Sequence, residues 1–379
     1  MDAATSFLQE LIRINTANDH EALIAQAIAD KLAEHHIESQ IIEYAPGRSN
    51  LIAEIGSQNS QPVIALTGHM DTVLTGDITT WEHNPFGGEI VANKMYGRGT
   101  ADMKSGLVAM LFAFIKLHEN AASLSGRVRL IFTIGEENGA QGSHQLTELG
   151  YVDDIDAMIV GEPTDGQIVY AHNGSYNYTI ESVGKQVHSS MPELGINALT
   201  NVVKYLNIEP QLFTAALPHP DLGPVVHSVT MLHSGEQINN IPAQATLRGN
   251  IRPVPTFNND QVTERITAAI AALNQEPGVH LEFTVDHSFW PVATATDAKL
   301  VQVAQQAYGH IFNEPATLSV IHGATDASEF VLSPHKFDVV VMGPGPWSQA
   351  HMVDEYVDLE QFEKMIDTYV TIIEFYFSM

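Results

Sequence analysis

Three apolar runs in this sequence end on groups able to hold a divalent cation. Val63–Thr67 leads into His69-Met70-Asp71, Val128–Ile134 into Gly135-Glu136-Glu137-Asn138-Gly139, and Ala157–Val160 into Gly161-Glu162-Pro163. Strand side chains repeat every second residue, so His69 and Asp71 can project the same way. A carboxylate so placed can accept the second ring N–H of a metal-bound imidazole, fixing its tautomer and raising its basicity. Of two adjacent carboxylates at a strand end, one can ligate while the other holds a water and takes its proton. Two further segments add donors. Tyr96-Gly97-Arg98-Gly99-Thr100-Ala101-Asp102-Met103-Lys104-Ser105-Gly106 sets a single carboxylate, Asp102, among glycines ahead of a helix. Its spacing fits neither GxxxxGK[ST] nor GxGxxG, and a carboxylate there is better placed to bridge cations than to bind phosphate. Gln349-Ala350-His351 follows the glycine/proline segment Gly343–Trp347.

Singly, each segment has a plainer reading: a solvated His-x-Asp turn, an N-capping Asp, an acidic loop, a surface histidine. The combination is more informative. His69, Asp102, Glu137, Glu162 and His351 supply one histidine and one carboxylate for each of two ions, plus one carboxylate to bridge them. The chain has no Cys, so a metal must be held by histidines and carboxylates, and there is no thiolate nucleophile or disulfide framework. Neither a Gly-x-Ser-x-Gly elbow nor a His-Glu-x-x-His helix occurs.

The elements that must position these groups follow from apolar spacing. Helices are expected at Ala3–Arg13, Glu21–His35, Lys104–Leu117 and Gly142–Leu149, and strands at Ser39–Tyr44, Leu51–Ile55, Val63–Thr67, Val128–Ile134, Ala157–Val160 and Gln167–Ala171. This is an α/β domain with a largely parallel or mixed sheet, in which ligand sites gather at the carboxyl ends of strands. From about Gly174 the pattern becomes α+β. Strands at Tyr176–Ser182, Val225–Leu232, Ala245–Ile251 and Leu281–Val285 are joined by helices at Ala198–Leu206 and Asp260–Leu273. The α/β pattern then returns, with helices at Asp297–Phe312 and Leu359–Phe377 around a strand at Asp338–Met342. One domain, 1–173 plus 289–379, is thus interrupted by an insert, 174–288.

Charge narrows the partners. Lys plus Arg number 17 against 45 Asp plus Glu, a net −28, which repels phosphate backbones and anionic lipid and argues against nucleic acid or membrane as partner. The N-terminus has no secretory pattern, and the run Gly106–Ile115 is too short to cross a bilayer. A cytoplasmic location is the expectation.

The ordered set His69-x-Asp71, Gly97-x-Gly-x-x-Asp102-Met-Lys, Glu136-Glu137 and Gly161-Glu162-Pro163 resembles the signatures of the di-zinc amidohydrolases and exopeptidases. That family includes succinyl-diaminopimelate desuccinylase, acetylornithine deacetylase, aminoacylase and glutamate carboxypeptidase. The resemblance extends to the insert, through Gly184-Lys185-Gln186-Val187-His188-Ser189-Ser190-Met191-Pro192, Asn239-Asn240-Ile241-Pro242 and Asn250-Ile251-Arg252. It implies a catalytic domain with a mixed sheet, interrupted by a smaller α+β lid and dimerisation domain. It implies two divalent ions, zinc or cobalt: one on His69 and Glu162, one on Glu137 and His351, with Asp102 bridging. Asp71 would orient His69, Glu136 would be the general base, and His188 would help stabilise the oxyanion in the partner subunit's site. Arg252 and Asn239 would bind the substrate carboxylate, with Gly323 and Thr325 lining the pocket, and the Asp102–Met103 peptide would be cis. The implied activity is hydrolysis of a small N-acyl amino acid or dipeptide by a homodimer, desuccinylation of N-succinyl-diaminopimelate first. Acetylornithine deacetylation and dipeptide or carboxypeptidase hydrolysis are the alternatives. His322-Gly323-Ala324-Thr325-Asp326 departs from the Ser-Gly-Gly-Thr pattern of desuccinylases, which bears on the acyl group and not on the chemistry. A binding protein on a dead hydrolase fold is the rival class, but it would be expected to have lost Glu136 or a ligand.

Overall fold

Strands covered on both faces read as continuous apolar runs, and Val63–His69 and Arg127–Thr133 are buried at every position. The two pair in parallel, Ala157–Val160 joins the far side of Val63–His69 in parallel, and Asp338–Val341 extends the same arrangement. Arg48–Gly56 and then Ser39–Ala45 add on antiparallel beyond Arg127–Thr133. The sheet is mixed, as the spacing predicts. Parallel strands deliver their carboxyl ends to one edge, so His69, Glu136, Glu137, Glu162 and the segment 343–351 all leave the sheet on the same side.

This computed structural model describes residues 2–57, 59–120 and 124–379. The chain divides into two units, one of residues 1–171, 293–319 and 325–379 and one of residues 172–292 and 320–324. The sequence reading places the insert at 174–288. Residues 320–324 lie with the second unit because Asn173 N–H donates to the Ile321 carbonyl at 3.3 Å and His322 Nδ1 meets Asn173 Oδ1 at 2.8 Å.

In the first unit the helix Lys104–Glu119 is apolar on nearly all sides and almost entirely buried. It packs against Ala3–Ile12, Leu359–Ser378 and the strands Val63–His69 and Arg127–Thr133. The run Gly106–Ile115 is therefore the middle of a core helix, and no helix among the described residues is long and apolar enough to cross a membrane. A Cβ on Gly106 would lie 2.0 Å from the carbonyl oxygen of Gly161, and one on Gly343 2.3 Å from the same atom. The helix and two strand ends thus meet backbone to backbone, immediately beside Glu162.

The second unit is an antiparallel sheet in the order Val226–Ser234, Gln244–Arg252, Ser175–Val183, Leu281–Phe289. The helices Ala198–Ile208 and Asn259–Leu273 pack on it, the second opened by a capping box between Asn258 and Gln261. A two-stranded ladder pairs Val187–His188 with Asn240–Ile241. Elements too short to carry a period escape the sequence reading: this ladder, and a small sheet of Glu89–Val91, Lys94–Tyr96 and Tyr356–Asp358.

Candidate metal centre

His69 is the last residue of its strand and only 1% exposed. Its Nε2 lies 3.1 Å from Asp102 Oδ1 and 3.5 Å from Glu162 Oε1. His351, on the loop after Asp338–Val341, brings its Nε2 to 3.3 Å from Asp102 Oδ2 and 3.0 Å from Glu137 Oε1. The two oxygens of Asp102 thus face two different imidazole–carboxylate pairs. Ligand atoms of His69, Asp102 and Glu162 all lie within 4.8 Å of one another, and so do those of Asp102, Glu137 and His351. All five expected ligands come together.

Local backbone explains how. The N-cap position of the helix Lys104–Glu119 belongs to Met103, which makes no side-chain cap, so Asp102 is not spent as a capping residue. The Asp102–Met103 peptide is cis. At the end of Arg127–Thr133, Gly135 turns the chain with a left-handed φ of 65° into a single 3-10 turn, Glu136–Asn138, and a carboxylate oxygen of Glu136 and one of Glu137 lie within 4.8 Å of each other and of a ring nitrogen of His69.

Asp71 lies against His69, as expected, and has a second role. The nearest acceptor to His69 Nδ1 is the backbone carbonyl of Asp71 at 3.0 Å, with its carboxylate at 3.5 Å. The carboxylate also accepts from the amides of Glu136 and Glu137, 3.2 Å each. Asp71 therefore fixes the Glu136–Glu137 turn with its side chain and the imidazole mainly with its main chain.

The electrostatics are those of an acidic cluster short of cations. Asp102, Glu136, Glu137 and Glu162 converge with His69 and His351 as the partners, and no lysine or arginine ion-pairs with them among the described residues. Burial pushes the Glu162 carboxyl up to about 8, with the charges of Asp102 and Glu137 adding to it against the pull of His69. Burial also raises Glu136 well above the carboxylate range, opposed by His69 and reinforced by Glu137 and Glu162. Burial disfavours charge on His69, but Glu162, Asp102 and Asp71 outweigh it and hold the imidazole well above its usual value. Hydrogen bonds to Asp102 and Glu137 raise His351 to about 10. Asp102 is kept below its ordinary range despite burial, because both imidazoles donate to it. The same nitrogens and oxygens are the donor set of a divalent cation, which would neutralise the acids and displace these protons.

Sequence reasoning misses the residues beneath the site. Glu355, Arg98, Lys104 and Asp326 are all buried. Lys104 Nζ donates to the carbonyls of Leu11 and Ile14, tying the first helix under the Asp102 loop. Asp326 accepts from Ser143 Oγ at 2.6 Å and from Thr133 Oγ1. Thr325 is fully buried and its hydroxyl accepts from Ala327 N–H, a place in the framework and not on an open surface. Gly323 is half-buried in the second unit.

In that unit the short ladder pairs His188 with Asn240, and just beyond it Ser189 N–H donates to the Asn239 carbonyl at 2.8 Å. Ser190 N–H donates to His188 Nδ1 at 3.2 Å, which leaves Nε2 of this exposed ring to carry the proton. Arg252, half-buried on its strand, makes no ion pair among the described residues.

Residues 65–374, a span that takes in the whole cluster, match the sequence profile of peptidase family M20/M25/M40. The chain belongs to this family. A protein of Staphylococcus epidermidis named "probable succinyl-diaminopimelate desuccinylase" is 34% identical, over 97% of this chain and 96% of its own length. A succinyl-diaminopimelate desuccinylase of Rhodospirillum centenum is 31% identical, over 87% of this chain and 84% of its own. Among solved structures, an M20 family metallo-carboxypeptidase of Sulfolobus solfataricus superposes with a TM-score of 0.80, at 17% identity and over 100% of both chains. This M20 member has the family fold and is a hydrolase acting on amide bonds.

Proposed function

We propose that this chain uses two divalent ions to hydrolyse the amide bond of an N-acyl amino acid, with N-succinyl-diaminopimelate as the first-choice substrate. The observation that carries the reading is the division of Asp102, whose two oxygens each meet a separate imidazole that in turn meets a separate carboxylate, Glu162 or Glu137. His69 and Glu162 would hold one ion, His351 and Glu137 the other, and Asp102 both. Nitrogen and oxygen donors of this kind suit zinc, with cobalt the alternative. When bound, such ions supply Lewis acidity toward the scissile carbonyl and acidify water at the centre. Glu136 would take the proton of the attacking water and deliver it to the leaving amine, so that one residue serves as base and then acid. The acyl group of the desuccinylase-named relatives supports the substrate. So does the half-buried Arg252, without an ion pair among the described residues, which with Asn239 suits a substrate carboxylate.

Calorimetric titration of metal-stripped protein should show two equivalents of Zn²⁺ or Co²⁺. Amine release should then be fastest on N-succinyl-diaminopimelate. Faster release from N-acetylornithine or a dipeptide would move the reading to those substrates, and no release from any of them by fully loaded protein would overturn it.

The active form in this reading is a homodimer in which His188 Nε2–H reaches the oxyanion in the other subunit. Its support is the edge strand Val226–Ser234, which exposes Val226, Met231 and Leu232. Mixing the inactive variants Glu136→Gln and His188→Ala after subunit exchange should restore about a quarter of wild-type activity, because half of randomly paired dimers then carry one intact site. No recovery despite proven exchange would rule out a shared site.

A further inference from the structure

We propose that the buried pair Arg98–Glu355 is a positioning device that holds the main chain of Asp102 and of His351 in one geometry, and so sets above all the affinity of the ion position that His351 and Glu137 form. The inference rests on the two-ion reading above.

Glu355 is fully buried, and the partners of its carboxylate lie on the loop that ends in Asp102. Oε1 accepts from Ala101 N–H at 2.8 Å and Asp102 N–H at 2.9 Å; Oε2 accepts from Gly99 N–H at 3.1 Å and from Arg98 Nη1 at 2.6 Å. The Glu355 carbonyl accepts from Gly97 N–H at 2.9 Å. Arg98, 2% exposed, reaches the other way. Its guanidinium donates to the carbonyls of Met352 at 3.3 Å and of His351 and Leu74 at 3.4 Å. Two loops, 97–102 and 351–355, are therefore stitched to each other at both ends of one ion pair. They leave the same small sheet, in which Tyr96 pairs with Tyr356.

The two ion positions depend on this stitch unequally. His69 ends a strand that is hydrogen-bonded on both sides, so the ladder itself fixes it. His351 has no strand. It sits on a turn with φ 66° and an exposed side chain, and its carbonyl accepts from Arg98. Removing one member of a buried, hydrogen-bonded pair leaves the other charge uncompensated and frees both loops. Outer groups that orient metal ligands typically change metal affinity by about 10–100-fold.

Titration of the metal-stripped full chain with Co²⁺, followed by calorimetry and by the visible absorption of the bound ion, tests this. Wild type should take up two equivalents. Glu355→Gln should weaken about 10–100-fold the step that Glu137→Gln also weakens, and the other step by less, with turnover recovering as Co²⁺ is raised. Arg98→Lys, which keeps the charge but loses the guanidinium fork, should do the same to a smaller degree and serves if Glu355→Gln does not fold. Two wild-type steps that are unchanged in both variants would overturn the inference, as would both steps falling by the same factor. Fewer than two steps in wild type would instead overturn the two-ion reading, and this inference with it.

Discussion

Glu136→Gln should lower turnover by about 10²–10⁴-fold while leaving bound metal at the wild-type amount. The substitution preserves shape and removes only the group that accepts and returns a proton. Glu136 belongs to neither Asp102-centred set, although its carboxylate also lies within 4.8 Å of His69 and Glu137, and its main chain is held by Asp71. Glu137→Gln makes the contrast. One residue away, it removes the carboxylate that meets His351 at 3.0 Å, so metal content should fall first and activity with it. Amine-release rates beside metal content by emission spectroscopy separate the two cases. Equal metal loss in both variants would show that the neighbouring glutamates have been assigned the wrong roles.

Asp102→Ala should be more damaging still. Each of its oxygens serves a different imidazole, so its removal should weaken both ion positions together, whereas Glu162→Gln or Glu137→Gln should weaken one. The effect is readable without any substrate. A ligand that binds only the folded chain stabilises it by about 2.7 kcal/mol at a hundred times its dissociation constant. Added Zn²⁺ should therefore raise the melting temperature of wild type and leave that of Asp102→Ala almost unmoved. A full metal-induced shift in Asp102→Ala would mean that the ions, if bound, do not need this carboxylate.

The candidate ligands at strand ends were legible because chain direction places them. A run such as Ala157–Val160, followed at once by Gly161-Glu162, states both that a strand is buried and that its carboxyl end carries an acid. Parallel pairing of three such strands then forces the acids together. The division of labour at Asp71 was not legible. Spacing tells which way a side chain leaves a strand, but not that the amides of Glu136 and Glu137 will be nearer its oxygens than the imidazole is. Glu355 and Asp326 were missed for a different reason. A carboxylate that organises a loop from the interior has the same local signature as one that merely keeps a surface wet, and only tertiary contacts distinguish them. His188 and Asn239 were found as motifs, yet the two-residue strands that pair His188 with Asn240, next to Asn239, have no period to detect.

The meeting of Gly106, Gly161 and Gly343 has a consequence for how this centre can change over evolutionary time. Where side chains separate two elements, a lineage can alter their spacing by trading one methylene for another. Here the spacer is a hydrogen atom, and it has no smaller or larger neighbour that the backbone would admit. The distance from the central helix to the strand end that carries Glu162 is therefore closed to gradual adjustment. Exchange of one side chain at a time is open instead on the other flank, where Arg98 holds the carbonyl of His351.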